Sequence, residues 1–259
     1  STEEWNGSSW SERNDNTREN NNSGATGTVY AAASFGGNIS PQGGASKWNG
    51  VNWSATEDLT NPAWNKTIAS GTQNAALVWG MTCNPTSEQN ATEHFNGVNY
   101  SAGGALITDH DNYGHGDGLQ NASLFVNGTG ASQEYNGSAW SAAATRNKTN
   151  AYDPVIRGTQ NNATAMMGWN GSSNVTTNSN AMCTEYYDGT SWTYGSGAIF
   201  GMRRHGGGGS GAEGGIAFGG IHSNPTDPVT CAQTLDVQWN STASFGLGDG
   251  VYYGEVQDT

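Results

Sequence analysis

The sequence predicts an all-β protein, and more narrowly a β-propeller, from three observations. Its composition is hostile to helices, an aromatic Asn-Gly hairpin recurs five times, and a small-residue strand follows each hairpin at a nearly fixed distance. Of 259 residues, 39 are Gly, 12% are charged and 34% are hydrophobic. Gly, Asn, Ser and Thr make poor helix interiors, and no 3.6-residue amphipathic pattern is sustained. Ten Trp and ten Tyr are too many for a disordered chain, which cannot bury them.

The hairpin motif reads Glu4-Trp5-Asn6-Gly7-Ser8-Ser9-Trp10, then Lys47-Trp48-Asn49-Gly50-Val51-Asn52-Trp53. It returns as His94-Phe95-Asn96-Gly97-Val98-Asn99-Tyr100, Glu134-Tyr135-Asn136-Gly137-Ser138-Ala139-Trp140 and Tyr186-Tyr187-Asp188-Gly189-Thr190-Ser191-Trp192. Asn-Gly or Asp-Gly adopts the positive-φ turn that matches strand twist, with an aromatic on each flanking strand. The strand motif packs small residues before a large one: Ala31–Phe35, Ala75–Trp79, Ala122–Val126, Ala163–Met167 and Gly214–Phe218. Small residues let neighbouring backbones approach closely.

From each hairpin Gly to the next closing large residue the steps are 28, 29, 29, 30 and 29 residues. The return steps to the next hairpin Gly are 15, 18, 11 and 22 residues. One half of the unit is therefore rigid and the other tolerates insertion. Units of about 45 residues match a four-stranded propeller blade. The constant half predicts that each hairpin forms the outer strands of one blade and the segment after it the inner strands of the next. Five four-stranded blades are expected, with six as the alternative, closed by exchange of a terminal strand. Residues 1–245 form the single propeller domain, and 246–259 a tail or final edge strand. Val237–Ala243 reads as a decayed sixth hairpin.

Charge narrows the function. A formal net charge of −13 with nine Lys and Arg excludes nucleic-acid partners, which need clustered cations against phosphates. No stretch of about 18 apolar residues is present, so membrane insertion is not expected. The chain opens on Ser1 with neither Met nor a secretion leader, as a processed or truncated product would. Asn-x-Ser/Thr sequons such as Asn6, Asn65 and Asn121 follow from composition as readily as from glycosylation.

The stretch Thr2–Ser11 and Gly71-Thr72-Gln73-Asn74-Ala75-Ala76-Leu77 resemble a kelch-like repeat frequent among structural proteins of marine bacteriophages. The resemblance covers nearly the whole chain. It implies a propeller fold and a virion-surface role as fibre, knob or decoration, and no catalytic residues. The Gly-Gly doublet usual in kelch repeats survives only at Gly36-Gly37 and Gly219-Gly220. Five-bladed animal lectins are similar in architecture alone.

Candidate sites follow from the repeat. Loops 38–46, 81–92, 128–132, 169–183 and 221–233 should emerge on one face, where a rigid scaffold carries recognition. Cys183 and Cys231, in adjacent units, are a disulfide candidate, which leaves Cys83 as a free thiol. Asp109, Asp111 and Asp117 lie in Asp109-His110-Asp111-Asn112-Tyr113-Gly114-His115-Gly116-Asp117. Its opening resembles a calcium loop, although Tyr113 takes a usual ligand position and no bidentate Glu follows. The other reading is a polar rim around the pore. That rim would include Arg18, Trp64, His110 and Arg203 as a ligand or partner face suited to a sugar. Trp10, Trp53, Tyr100, Trp140 and Trp192 are expected to pack between blades rather than bind. No nucleophile elbow, nucleotide fingerprint or paired zinc-ligand motif occurs.

The expected protein is thus a non-enzymatic virion-surface or extracellular one without a cofactor, calcium apart. It would act in assembly or host-surface adhesion, towards neighbouring virion proteins or a host glycan. The alternative is a secreted lectin-like propeller with several weak, equivalent carbohydrate sites.

Overall fold

A computed structural model describes residues 1–18, 22–37, 43–61, 66–81, 90–110, 113–169, 182–199, 201, 205–211, 214–219, 232–236 and 238–241. Among these residues every regular element is a strand. The chain opens on a hairpin, β1 (Thr2–Trp5) and β2 (Trp10–Arg13). Four-stranded antiparallel sheets follow in chain order. The first is β3 (Gly24–Thr28), β4 (Ala31–Phe35), β5 (Ala45–Trp48) and β6 (Trp53–Thr56). The second is β7 (Ile68–Thr72), β8 (Ala75–Trp79), β9 (Thr92–Phe95) and β10 (Tyr100–Ala102). The third is β11 (His115–Leu119), β12 (Ala122–Val126), β13 (Ser132–Tyr135) and β14 (Trp140–Ala143). The fourth is β15 (Val155–Thr159), β16 (Asn162–Met166), β17 (Thr184–Tyr187) and β18 (Trp192–Tyr194). The fifth is β19 (Gly206–Gly211), β20 (Gly214–Phe218), β21 (Ala232–Asp236) and β22 (Gln238–Ser241).

The first strands of consecutive sheets, β3, β7, β11, β15 and β19, pack side by side in that order, which is the arrangement of a β-propeller. The Asn-Gly and Asp-Gly hairpins are the two outer strands of the first four sheets, and the small-residue strands lie second from the axis in all five, as the spacing predicts. The Gly206–Gly211 run is the innermost strand of its sheet. A Cβ on Gly207 would come within 2.8 Å of Val155 in the neighbouring sheet, so close approach explains the glycines.

The hairpin turns differ from expectation in one respect. Only the Gly is left-handed, at φ 94, 90, 92, 94 and 91° for Gly7, Gly50, Gly97, Gly137 and Gly189. The preceding Asn or Asp instead caps the loop. Asn49 Oδ1, for example, accepts the N–H groups of Val51 at 3.0 Å and Asn52 at 2.8 Å. This Asx cap closes a four-residue loop and sets the flanking aromatics opposite one another. Trp5 pairs with Trp10, Trp48 with Trp53, Phe95 with Tyr100, Tyr135 with Trp140 and Tyr187 with Trp192. Their rings lie 4.7 to 5.5 Å apart. The Trp140 ring also packs on Trp79 of the preceding sheet at 5.3 Å, so these aromatics serve packing between sheets.

Hairpin β1–β2 takes the same seat towards its neighbours as the outer strands of a complete sheet. The Trp53 indole donates to Thr2 Oγ1 at 3.0 Å, as Trp140 donates to Thr92 Oγ1 at 3.1 Å. On its other side Trp10 meets Phe218 of the fifth sheet at 5.1 Å, edge to face, as Trp140 meets Trp79. The hairpin thus lies between the fifth sheet and the first.

Candidate functional site: a sealed polar cluster on the inner strands

The innermost strands carry polar side chains at one repeated register: Thr26, Ser70, Asp117 and Arg157. Three of them clamp the next inner strand. Thr26 Oγ1 donates to Gly71 O at 2.8 Å. Asp117 Oδ2 accepts the Gly158 N–H at 3.0 Å, and Arg157 Nε donates to Gly207 O at 2.7 Å. Arg157 Nη1 lies 3.9 Å from Asp117 Oδ2. Ser70 Oγ instead bonds Ser123 Oγ at 2.6 Å.

Four residues earlier in each repeat stand Asn22, Lys66 and Asp153, all non-Gly residues with positive φ of 62, 39 and 53°. Such backbones cost about 1–3 kcal/mol each and persist where the surroundings over-determine them. Here the compensation is visible: Lys66 Nζ and Asp153 Oδ1 form a buried ion pair joining the second and fourth sheets.

Three histidines complete the cluster. His115 Nδ1 accepts the Ile156 N–H at 3.2 Å, which fixes the neutral ring with its proton on Nε2. Burial, with Arg157 and Lys66 nearby, holds His115 well below the usual histidine range. Burial and Lys66 lower His110 to about 3, and burial, His115 and Arg157 do the same to His205. All three are neutral imidazoles at physiological pH. The two cations balance the two carboxylates, and none of these side chains is more than 8% exposed. The arrangement is a charge-balanced seal between inner strands.

A second set of polar residues works at the seams between sheets. Gln73, Gln120 and Gln160 each donate to two carbonyls of the preceding sheet: Ala32 and Trp48, Ala76 and Phe95, Ser123 and Tyr135. Buried Glu93, Gln133 and Glu185 accept backbone N–H groups from the loop that follows the preceding hairpin. Glu185 also pairs with fully buried Arg146 at 2.8 Å.

The residues singled out in the sequence fall in separate places. Asp117 is buried in the inner-strand clamp, Asp109 is exposed, and Asp111 lies outside the described residues. Among the described residues no three His, Cys, Asp or Glu side chains converge as metal ligands. His110 is not a solvent-facing rim residue: it is fully buried, packed on Phe125 at 5.7 Å and beneath Gly80. Arg18 turns to Asp58 at 2.9 Å, against Gly44. Trp64 and Arg203 lie outside the described residues. Cys183 is a free thiol raised by burial, while Cys231 and Cys83 lie outside them.

Of the five expected recognition loops, 128–132 is described throughout. It is a tight turn in which Asn127 Oδ1 accepts the N–H groups of Thr129 and Ala131. The others fall partly or mostly outside the described residues. An open cleft of about 590 Å³ lies between hairpin β1–β2 and the first sheet, lined by Glu12, Arg13, Asn14, Asp15, Gly50 and Val51. Exposed Tyr30 borders Gly50.

Sequence reasoning missed Lys66, Asp153, Arg157 and His205. The detectable signal was positional: Lys66 and Asp153 stand at equal distances before the repeated inner-strand register.

No family model matches the chain, and no curated protein matches it. Among solved structures it is similar to a novel fungal alcohol oxidase with catalytic diversity among the AA5 family, in complex with copper. The TM-score is 0.61 at 10% sequence identity, over 87% of this chain and 54% of that one. The likeness shows the fold alone, and this chain spans about half the length of that structure. No helix among the described residues is long and apolar enough to cross a membrane.

Proposed function

We propose that this protein is a non-enzymatic propeller displayed on the outside of a virus particle, where it serves assembly or host-surface adhesion. Its contacts are made through the face bearing the loops between second and third strands. The observation that carries this reading is the sealed inner-strand cluster. Its two cations face two carboxylates and its imidazoles are neutral and buried, which favours recognition at the periphery. The low charge fits a particle surface held together by aromatic packing and backbone ladders. The scaffold is a ring closed by its own termini. The seat of hairpin β1–β2 between the fifth and first sheets favours six places over five.

Carbohydrate binding has one observation of its own. The cleft beside Tyr30 combines an exposed aromatic ring with the amide of Asn14 and the carboxylates of Glu12 and Asp15, groups that suit a pyranose and its hydroxyls. Glycan-array binding by the purified protein, with compositional analysis of purified particles, tests both readings. Symmetric incorporation into particles supports the structural role. Saturable glycan binding lost in Tyr30→Ala, with the chain absent from particles, selects the lectin. Hydrolytic turnover of a polysaccharide overturns both.

A further inference from the structure

Two side chains at the cleft between hairpin β1–β2 and the first sheet depart from the repeat. At the inner turns of the second, third and fourth sheets, Asn74, Asn121 and Asn161 pack against the hairpin glycines Gly97, Gly137 and Gly189. Tyr30 takes that place against Gly50, with 71% of the residue exposed. On the outer strands, the second residue after the hairpin aromatic is Ala55 in β6, Ala102 in β10 and Ala142 in β14. In β2 it is Glu12, also exposed. Packing asks for neither change, since Asn and Ala serve the same places in other sheets. Both changes fall at one cleft.

The polar groups there are unevenly committed. Arg13 Nε donates to Glu4 Oε2 at 2.6 Å, so its charge is already met. Asn14 Nδ2 donates to Val51 O and to Asn52 Oδ1, each at 2.9 Å, which uses both amide hydrogens and leaves Oδ1 as an acceptor. Two carboxylates remain, Glu12 and Asp15. Asp15 lies 3.5 Å from the Ser1 ammonium in an exposed pair, and such pairs contribute little. The cleft therefore offers acceptors, negative charge and an aromatic face.

That combination complements an ammonium group. Carboxylates bind it through charge-assisted hydrogen bonds, and an aromatic face attracts it through the ring quadrupole. A glycan bearing carboxylate or sulfate meets like charge in the cleft and a net charge of −13 around it. We propose that this cleft is selective for glycans that carry free amines, with Glu12 and Asp15 taking the ammonium and Tyr30 the pyranose ring. This rests on the carbohydrate reading of the cleft given above and names the class of sugar it takes.

The test is calorimetric titration of the purified chain, in mildly acidic buffer, with three oligosaccharides of equal length: a β-1,4-glucosamine, its N-acetylated form and a uronate. The free amine adds an exposed ion pair and a cation–π contact, so the glucosamine oligomer should bind about tenfold tighter than the acetylated one. The uronate should not bind, and added salt should narrow the preference. Glu12→Gln with Asp15→Asn should abolish the preference, and Tyr30→Ala should weaken both bound oligomers. The charge-matched control Glu57→Gln with Asp109→Asn, at exposed positions away from the cleft, should leave it unchanged. A preference lost equally in that control reflects net charge alone and overturns the proposal. Equal binding of the amine and acetylated forms, lost in Tyr30→Ala, overturns the amine selectivity and leaves the carbohydrate reading standing. Binding of neither oligomer overturns the proposal, and absence of binding to every glycan on an array overturns the carbohydrate reading with it.

Discussion

The seam between the third and fourth sheets and the seam between hairpin β1–β2 and the first sheet share one architecture but differ in their polar side chains. At the former, Gln160 bonds two carbonyls of the third sheet, Glu185 gathers the N–H groups of Asn147 and Lys148, and Arg146 pairs with Glu185. At the latter, Val29 stands where Gln160 does. Ser46 stands where Glu185 does, its hydroxyl buried without a partner. An indole bond crosses both: Trp192 Nε1 donates to Ala144 O at 2.9 Å, and Trp53 Nε1 to Thr2 Oγ1 at 3.0 Å. The indole bond is thus common to both seams, while the buried polar groups that fix which N–H and carbonyl face each other are present at only one.

Breaking the stronger seam should give the largest effect. Arg146 and Glu185 are both 0% exposed, and the two terminal guanidinium nitrogens have no partner. Glu185→Ala strands a buried cation and should cost about 3–5 kcal/mol in denaturant unfolding. The seam between the second and third sheets carries Leu106 and Gln133 at the same two places. Arg146→Leu with Glu185→Gln transplants that pair and should restore stability to within about 1 kcal/mol of wild type, since apolar replacement of a buried pair is often neutral or stabilising. A double variant as damaged as Glu185→Ala would show that the ion pair itself holds the seam.

These two seams also mark what the sequence made legible. The hairpins, the small-residue strands and their order within a sheet follow from recurrence, because each copy solves the same local problem of turn and packing. The Gln series was equally visible, each Gln lying two residues after a positive-φ Gly of the inner hairpin. The partners of Lys66 and Arg146 were not. Lys66 meets Asp153 across 87 residues, and Arg146 replaces a residue that is Leu59 or Leu106 elsewhere. A side chain that departs from its repeat carries no periodic signal, and only the closed geometry shows what it faces. For the same reason His110 looked like a rim residue but is core.

A smaller effect compares the Gln staples with their absence. Gln120→Ala removes two bonds, at 3.1 Å to Ala76 O and 2.9 Å to Phe95 O, and leaves part-buried carbonyls unpaired. A loss of about 1–2 kcal/mol is expected. Val29→Gln at the unstapled seam should change stability by less than about 0.5 kcal/mol unless acceptors await it there. Urea unfolding of both variants decides. A clear gain from Val29→Gln would mean that the two seams differ in sequence but not in backbone placement.

The smallest effect concerns the hairpin turns, four of which are capped by Asn and one by Asp188. The Thr190 hydroxyl, then the N–H groups of Ser191 and Thr190, hold the Asp188 carboxyl down at about 2. Its folded value thus lies below the ordinary unfolded value of about 3.9. Any stabilisation is present above that unfolded value and is lost as pH falls through about 2. Asn at this position makes the same acceptor bonds, as Asn136 does to Ser138 and Ala139, without titrating. Asp188→Asn should therefore differ from wild type by a melting offset that is constant from pH 5 to 8 and shifts only in the acid window. An offset that varies near neutral pH would mean that Asp188 acts through something other than its own turn.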